Sequence, residues 1–143
     1  MSFWIFKCNP RRFDIDGRLR DPQPRTTYLV TRYCDRIRPG DTAFIWRTGP
    51  DGGIRAVMRV DSFPTEMGEV AEDAPYWADG RETGPALRVV GTFTHRFPCI
   101  TRAALKGMPE LKDLSVFHGF QQATNFEVSA AEGAVLWGLV NGR

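Results

Sequence analysis

The stretch RPGDTAFIWRTGPDGGIRAVMRV, residues 38–60, carries the outline of the fold. Arg38-Pro39-Gly40-Asp41 is turn chemistry, because proline presets one backbone angle and glycine tolerates the left-handed one. Thr42 to Arg47 then reads as a strand, and Thr48-Gly49-Pro50-Asp51-Gly52-Gly53 as a glycine-rich hairpin loop. From Gly53 to Val60 the chain alternates, with Ile54, Ala56, Met58 and Val60 on one face and Arg55, Val57 and Arg59 on the other. This hairpin is the seed of a sheet.

Working outward, a further strand runs from Leu87 to Phe97, with Leu87, Val89, Gly91, Phe93 and Phe97 opposite Arg88, Thr92, Thr94 and Arg96. Residues 2–7 and 27–31 supply shorter ones. Asn9-Pro10 looks like a cap followed by proline, opening a short turn through Phe13. Asp14 and Asp16, two residues apart beside Gly17, read as turn residues. Thr101 to Lys106 predicts a short helix that Gly107 stops, and Pro109 opens another turn. Ser129-Ala130-Ala131-Glu132 is a capping box, so a helix follows it. Thr65 to Pro85 is polar around one aromatic pair, Tyr76-Trp77; a loop that long in a small domain is often functional. Five or so strands with short peripheral helices predict a strongly curved mixed sheet or open barrel.

Length and composition fit one domain, residues 1–143, with ordinary globular usage: 42% hydrophobic and 25% charged residues. No apolar run approaches a membrane span, and the N-terminal residues lack the basic flank of a signal peptide. Cys8, Cys34 and Cys99 are odd in number and widely spaced, which argues for a reducing, cytoplasmic setting. Two histidines without a C-x-x-C leave no metal site to expect, and no cofactor motif is present. The net charge of +2 divides unevenly, with the cations concentrated in residues 1–60, and sixteen of the nineteen cations are arginine. Arginine suits phosphate and base stacking, although a GC-rich genome also supplies it.

The chain resembles the EVE domain family. Phe3-Trp4-Ile5-Phe6-Lys7-Cys8-Asn9-Pro10 is similar to the family's opening strand and Asn-Pro turn. Gly40-Asp41 through Phe44-Ile45-Trp46-Arg47-Thr48-Gly49, and then Gly53-Ile54-Arg55-Ala56-Val57, resemble its next two strands. Pro75-Tyr76-Trp77 and Gln122-Ala123-Thr124-Asn125-Phe126-Glu127-Val128-Ser129 complete the series. The resemblance implies an α+β, PUA-like β-pseudobarrel of about five to six mainly antiparallel strands with short peripheral helices, related to YTH domains. It also implies a non-catalytic module that recognises a modified base, such as methylated or hydroxymethylated cytosine or methyladenine, in DNA or RNA. Such modules in bacteria often accompany a separate nuclease or other effector chain. Tyr28 stands where many relatives have tryptophan.

Recognising a single base takes flat aromatic walls and a few polar groups at its edge. Tyr28, Trp46, Trp77 and Phe126 are the candidate walls, with core packing the competing role. Trp77, in a polar loop, has less reason to be core. Asn9, Gln122 and Asn125 carry both donor and acceptor for a base edge; for Asn9 the competing role is the cap. Thr48, Gly49 and Gly53 are candidates to bring backbone close to a ligand, or simply to turn the hairpin. Arg11, Arg12, Arg18, Arg20, Arg25 and Arg47 are candidates for phosphate contact or for a solvated face. Two alternatives remain open: a generic PUA-like RNA-binding protein without base selectivity, and an ASCH-type nucleoside amidohydrolase built on Lys7 and Thr48.

Overall fold

A computed structural model describes residues 1–78, 84–118 and 123–142. Its strands are β1 (Phe3–Cys8), β2 (Arg25–Leu29), β3 (Thr42–Arg47), β4 (Gly53–Val60), β5 (Thr65–Met67), β6 (Ala86–Thr101) and β7 (Asn125–Val128). The helices are α1 (Ile15–Arg20), α2 (Arg102–Lys106), α3 (Ser115–His118) and α4 (Ala130–Asn141), with 3-10 turns at Ala74–Tyr76 and Pro109–Leu111.

All seven described strands join one sheet in the order β2-β6-β4-β3-β1-β7, and β5 pairs with the start of β6. The hairpin read at residues 42–60 is its centre. β1 and β3 run parallel, Phe3 opposite Thr42 through Cys8 opposite Arg47, while the other pairs are antiparallel. Both strands are buried on two faces, which explains the unbroken apolar runs Trp4-Ile5-Phe6 and Ala43-Phe44-Ile45-Trp46.

One face packs Ile5, Phe44, Ile54 and Val57 against Leu105, Leu114 and Leu136 of the helical layer. The other gathers Trp4, Phe6, Ile45, Met58, Val89 and Phe93 around Ile15 and Val30. The second face is the inside of a curl. Three strands separate β1 from β2 in the sheet, yet the Phe6 and Tyr28 rings touch at 5.2 Å.

Asn125 of β7 bridges the two sheet ends with its side chain. Its Oδ1 accepts from the backbone N–H groups of Thr31 (2.8 Å) and Arg32 (3.3 Å), and its Nδ2 donates to Leu29 O at 3.1 Å. The result is a pseudobarrel, an open curled sheet clasped by an amide where a full ladder is missing.

The alternation expected for Gly53–Val60 breaks at one point. Ile54 packs with the helices while Ala56, Met58 and Val60 face inward, because the β4–β6 register shifts between Ile54 and Ala56 and again between Val57 and Met58. The same bulges turn Phe97 of β6 toward the helical layer, away from Val89 and Phe93. The capping box is in place, while Thr101, expected inside a helix, ends β6 and caps α2 (Arg102–Lys106) from outside. Thr101 Oγ1 accepts from Ala104 N, and Ser129 and Glu132 form a reciprocal capping box at the start of α4.

Asp14 and Asp16 are the chief departure from the expected turn. Asp14 caps α1 by accepting from Gly17 N at 3.0 Å, and Asp16 lies inside the helix. A helix of six residues with a central glycine has too little intrinsic propensity to stand alone, so its tertiary contacts must hold it.

At Gly133 α4 crosses Phe3 so closely that a Cβ there would lie 2.1 Å from the ring. Gly133→Val is therefore expected to destabilise the fold by about 1–3 kcal/mol. The measurement is urea denaturation of Gly133→Val with and without Phe3→Leu, which should recover part of the loss.

Candidate functional site

The missing ladder between β2 and β1–β7 opens into a cavity of about 530 Å³, within the range of small-ligand pockets. β1 contributes Lys7 and Cys8, and Asn9 follows at its rim; β2 contributes Thr26 to Leu29. Trp77 stands across from them.

Trp77 is half-buried and fixed from several sides. Its indole Nε1–H donates to the Glu69 carboxylate, and its ring meets Phe13 edge-on at 4.9 Å. The backbone around it is zipped to the Asn9–Asp14 turn, with Ala78 N donating to Arg12 O and Asp14 N to Tyr76 O, both at 2.8 Å. Burial raises the Glu69 carboxyl above its ordinary range, opposed by the indole hydrogen bond.

Beneath this wall lies a buried polar network. Arg18, fully buried, pairs with Asp73 at 2.7 Å and donates to the carbonyls of Gln23 and Arg25. The other Asp73 oxygen accepts from Thr26 Oγ1 (2.8 Å), Thr27 N (3.0 Å) and Thr27 Oγ1 (3.2 Å). The 65–78 segment is thereby tied to β2 and α1. A buried ion pair satisfied on every side orients what surrounds it.

Tyr28 lies tilted on Phe6, and its buried hydroxyl has no hydrogen-bond partner among the described residues. Burial, with the Cys8 thiol close by, holds its phenol well above the usual range. Burial likewise pushes the Cys8 thiol up to about 12, and the thiol donates to Phe13 O. A thiol that stays protonated is a poor nucleophile. Lys7 is shifted down by burial, with Nζ 5.4 Å above the Phe126 ring.

The expected site residues therefore separate. Asn9, Arg12, Tyr28 and Trp77 line the cavity together. Asn9 serves as the cap through Oδ1, which accepts from Arg11 N at 3.0 Å, while its Nδ2 makes no hydrogen bond among the described residues. Trp46 and Phe126 are buried toward the helical layer, where Trp46 meets Phe117 edge-on at 6.0 Å. Thr48, Gly49 and Gly53 belong to the hairpin outside the cavity. Gly53, at φ +147, packs so tightly on β6 that a Cβ would lie 2.1 Å from Ile100 O. Asn125 is consumed by the clasp, and Gln122 lies outside the described residues.

Among the expected phosphate contacts, Arg11, Arg12, Arg20 and Arg25 are exposed. Arg18 is not, because its charge is spent on Asp73. Arg47 is paired with Asp16 at 3.1 Å. Of the two residues weighed for hydrolysis, Lys7 lines the cavity and Thr48 does not. Sequence reasoning missed Arg88, Phe13, Glu69 and Asp73. Arg88 alternates as an outward strand residue, yet it is 2% exposed, lines the cavity and donates to Met67 O and Gly84 O.

The family model of the EVE domain matches residues 2–139. No match was found among curated protein sequences. Among solved structures, a hypothetical protein from Leishmania major is similar at TM-score 0.72 and 19% identity, over 99% of this chain and 96% of that one. The human THYN1 protein, solved in complex with 5-methylcytosine-containing DNA, is similar at TM-score 0.68 and 18% identity, with 97% of each chain covered. An ASCH protein from Zymomonas mobilis shares the fold more distantly, at TM-score 0.52 and 11% identity over 96% of each chain.

Proposed function

Because the chain belongs to the EVE domain family, whose model it matches over residues 2–139, we propose that it is a non-catalytic nucleic-acid-binding module that takes one modified base into the cavity beside Trp77. The observation that carries this reading is Trp77 itself: a partly exposed indole, held rigid by Glu69 and Phe13 and facing an open cavity. A preoriented aromatic wall stabilises a stacked base by roughly 1–3 kcal/mol, against a few kcal/mol to withdraw the base from a duplex. Tyr28 walls the cavity from β2, and the Asn9 amide supplies a donor at its rim. Lys7 and Arg12 give the mouth a positive charge suited to the strand's backbone. The human relative's complex with 5-methylcytosine-containing DNA makes modified cytosine in DNA the first ligand to try. A module of this kind has no output of its own, so a separate effector chain would act on what it binds.

The test is a titration at one fixed salt concentration. Matched DNA and RNA oligonucleotides carry cytosine, 5-methylcytosine, 5-hydroxymethylcytosine, adenine or N6-methyladenine. Preference of about tenfold for one modification, about 1.4 kcal/mol, is expected, and Trp77→Ala should abolish it. Equal, strongly salt-dependent binding to every strand would replace this reading with that of a general RNA-binding PUA-like module.

A further inference from the structure

On the other side of α1 lies a second cleft, of about 340 Å³, lined by Asp16, Leu19, Arg20, Arg55, Arg96 and Phe97. α1 is the partition: Ile15 lines the base cavity, and Asp16, Leu19 and Arg20 line the cleft. Arg20 makes no hydrogen bond or ion pair among the described residues and is exposed. Arg55 sends one guanidinium nitrogen to Asp16 at 2.7 Å and another to Asp51 O at 3.3 Å, while its buried Nε has no partner among the described residues. Among the described residues Arg96 donates only to a carbonyl, Gln23 O, at 2.8 Å, and its guanidinium lies over the Phe93 ring. Arg47 reaches Asp16 from behind. Three guanidiniums thus line the cleft beside one carboxylate, Asp16, which Arg47 also pairs; Asp21, near Arg96, accepts from Tyr76 OH.

We propose that this cleft binds a backbone phosphodiester of the same strand whose base enters the cavity, gripped by Arg20, Arg55 and Arg96. The proposal rests on the nucleic-acid reading above and adds a second point of attachment to it. The chemistry fits an oxyanion. The donors are guanidiniums, which present planar forks to phosphate oxygens, and the positive charge is left in excess by the one carboxylate, Asp16, in the cleft lining. Burial, and after it the nearby Arg18 charge, lower the Arg96 guanidinium from its ordinary value, opposed by the Asp21 carboxylate. The spacing also fits. With its side chains α1 is roughly 10 Å across, a span that one or two extended nucleotides cover. Phe97 and Leu19 give the cleft an apolar floor on which the intervening sugar can rest.

The experiment compares the wild-type protein with the double variant Arg20→Ala/Arg96→Ala, both side chains being exposed. Affinity is measured for an oligonucleotide carrying the modified base and for its unmodified counterpart, across a series of salt concentrations. The variant is expected to bind both strands about tenfold more weakly, with the modified-to-unmodified ratio unchanged. The slope of log K against log salt should become shallower by about 0.7–0.9, for one phosphate contact removed. Arg20→Lys/Arg96→Lys should restore the slope, which shows that charge and not folding was lost. An unchanged slope with an intact ratio would overturn the cleft and leave the base cavity standing. A collapsed ratio with an unchanged slope would overturn it too, since these arginines would then shape the cavity. If wild type shows no preference for any modification but the variant's slope still falls, the base-reading function fails and the phosphate cleft survives.

Discussion

Asp73→Ala is expected to lower the unfolding free energy by about 3–5 kcal/mol, the usual cost of stranding one member of a buried ion pair. Arg18 would be left fully buried, its cation solvated by the carbonyls of Gln23 and Arg25 and the face of Phe93 but paired with no carboxylate among the described residues. The Thr26 and Thr27 hydroxyls and the Thr27 N–H would lose their shared acceptor as well. A loss of that size corresponds to a fall in Tm of about 10 °C or more for a chain of this length. Urea denaturation provides the number, and the control decides its cause. Arg18→Met/Asp73→Leu removes both charges, and it should recover much of the stability, because apolar replacements of a buried pair are often neutral or better. If the double variant is no more stable than Asp73→Ala, the loss comes from the threonine contacts and not from the stranded charge. Since Asp73 anchors the segment that ends in Trp77, Asp73→Ala should also weaken base discrimination under conditions where it remains folded.

Asn125→Ala is the second large effect, about 2–4 kcal/mol. It leaves the part-buried Thr31 and Arg32 N–H groups and Leu29 carbonyl without their partner, where a fully buried group left unmade costs about 1–3 kcal/mol and one that water can reach costs less. Amide hydrogen exchange gives a signature that mere destabilisation does not. Protection should fall first at Thr31, Arg32 and the β2 strand, ahead of the central β3–β4 hairpin. Uniform loss across the sheet would mean that Asn125 is one ordinary core contact and not the closure of the barrel.

Signals that lie within a few residues were legible in the sequence. The hairpin of residues 42–60, the short helix that Gly107 stops and the Ser129–Glu132 capping box all rest on turn residues or hydrogen bonds at short separation, and the structure contains each of them. Trp77 stood out for a related reason, as an aromatic in a polar stretch with no local core to join.

What escaped depends on partners far along the chain. Arg18 looks like any surface arginine until Asp73, 55 residues later, is brought beside it. α1 was read as a turn because its stability comes from Asp16 meeting Arg47 and Arg55, and from Arg18 meeting Asp73, not from its own six residues. Asn125 carries the donor and acceptor expected of a base-reading amide, and uses both to clasp the barrel. Alternation also failed where it should, at the β4 bulge that turns Ile54 over. Polar capacity was visible in the sequence; where it is spent was not.

The parallel pairing of β1 with β3 bears on how the chain assembles as it leaves the ribosome. β1 emerges first, yet its two neighbours in the sheet are residues 42–47 and residues 125–128. Until residues 125–128 are made, the apolar Trp4-Ile5-Phe6 run therefore has one ladder unfilled, a template for adding a foreign strand. The cavity beside Trp77, which takes Ala123 and Thr124 as well as Lys7 and Cys8, is completed only when the segment leading into β7 has been made. Nascent chains stalled before Asn125 should accordingly depend on chaperones and aggregate without them, and they should acquire no ligand until β7 closes over β1.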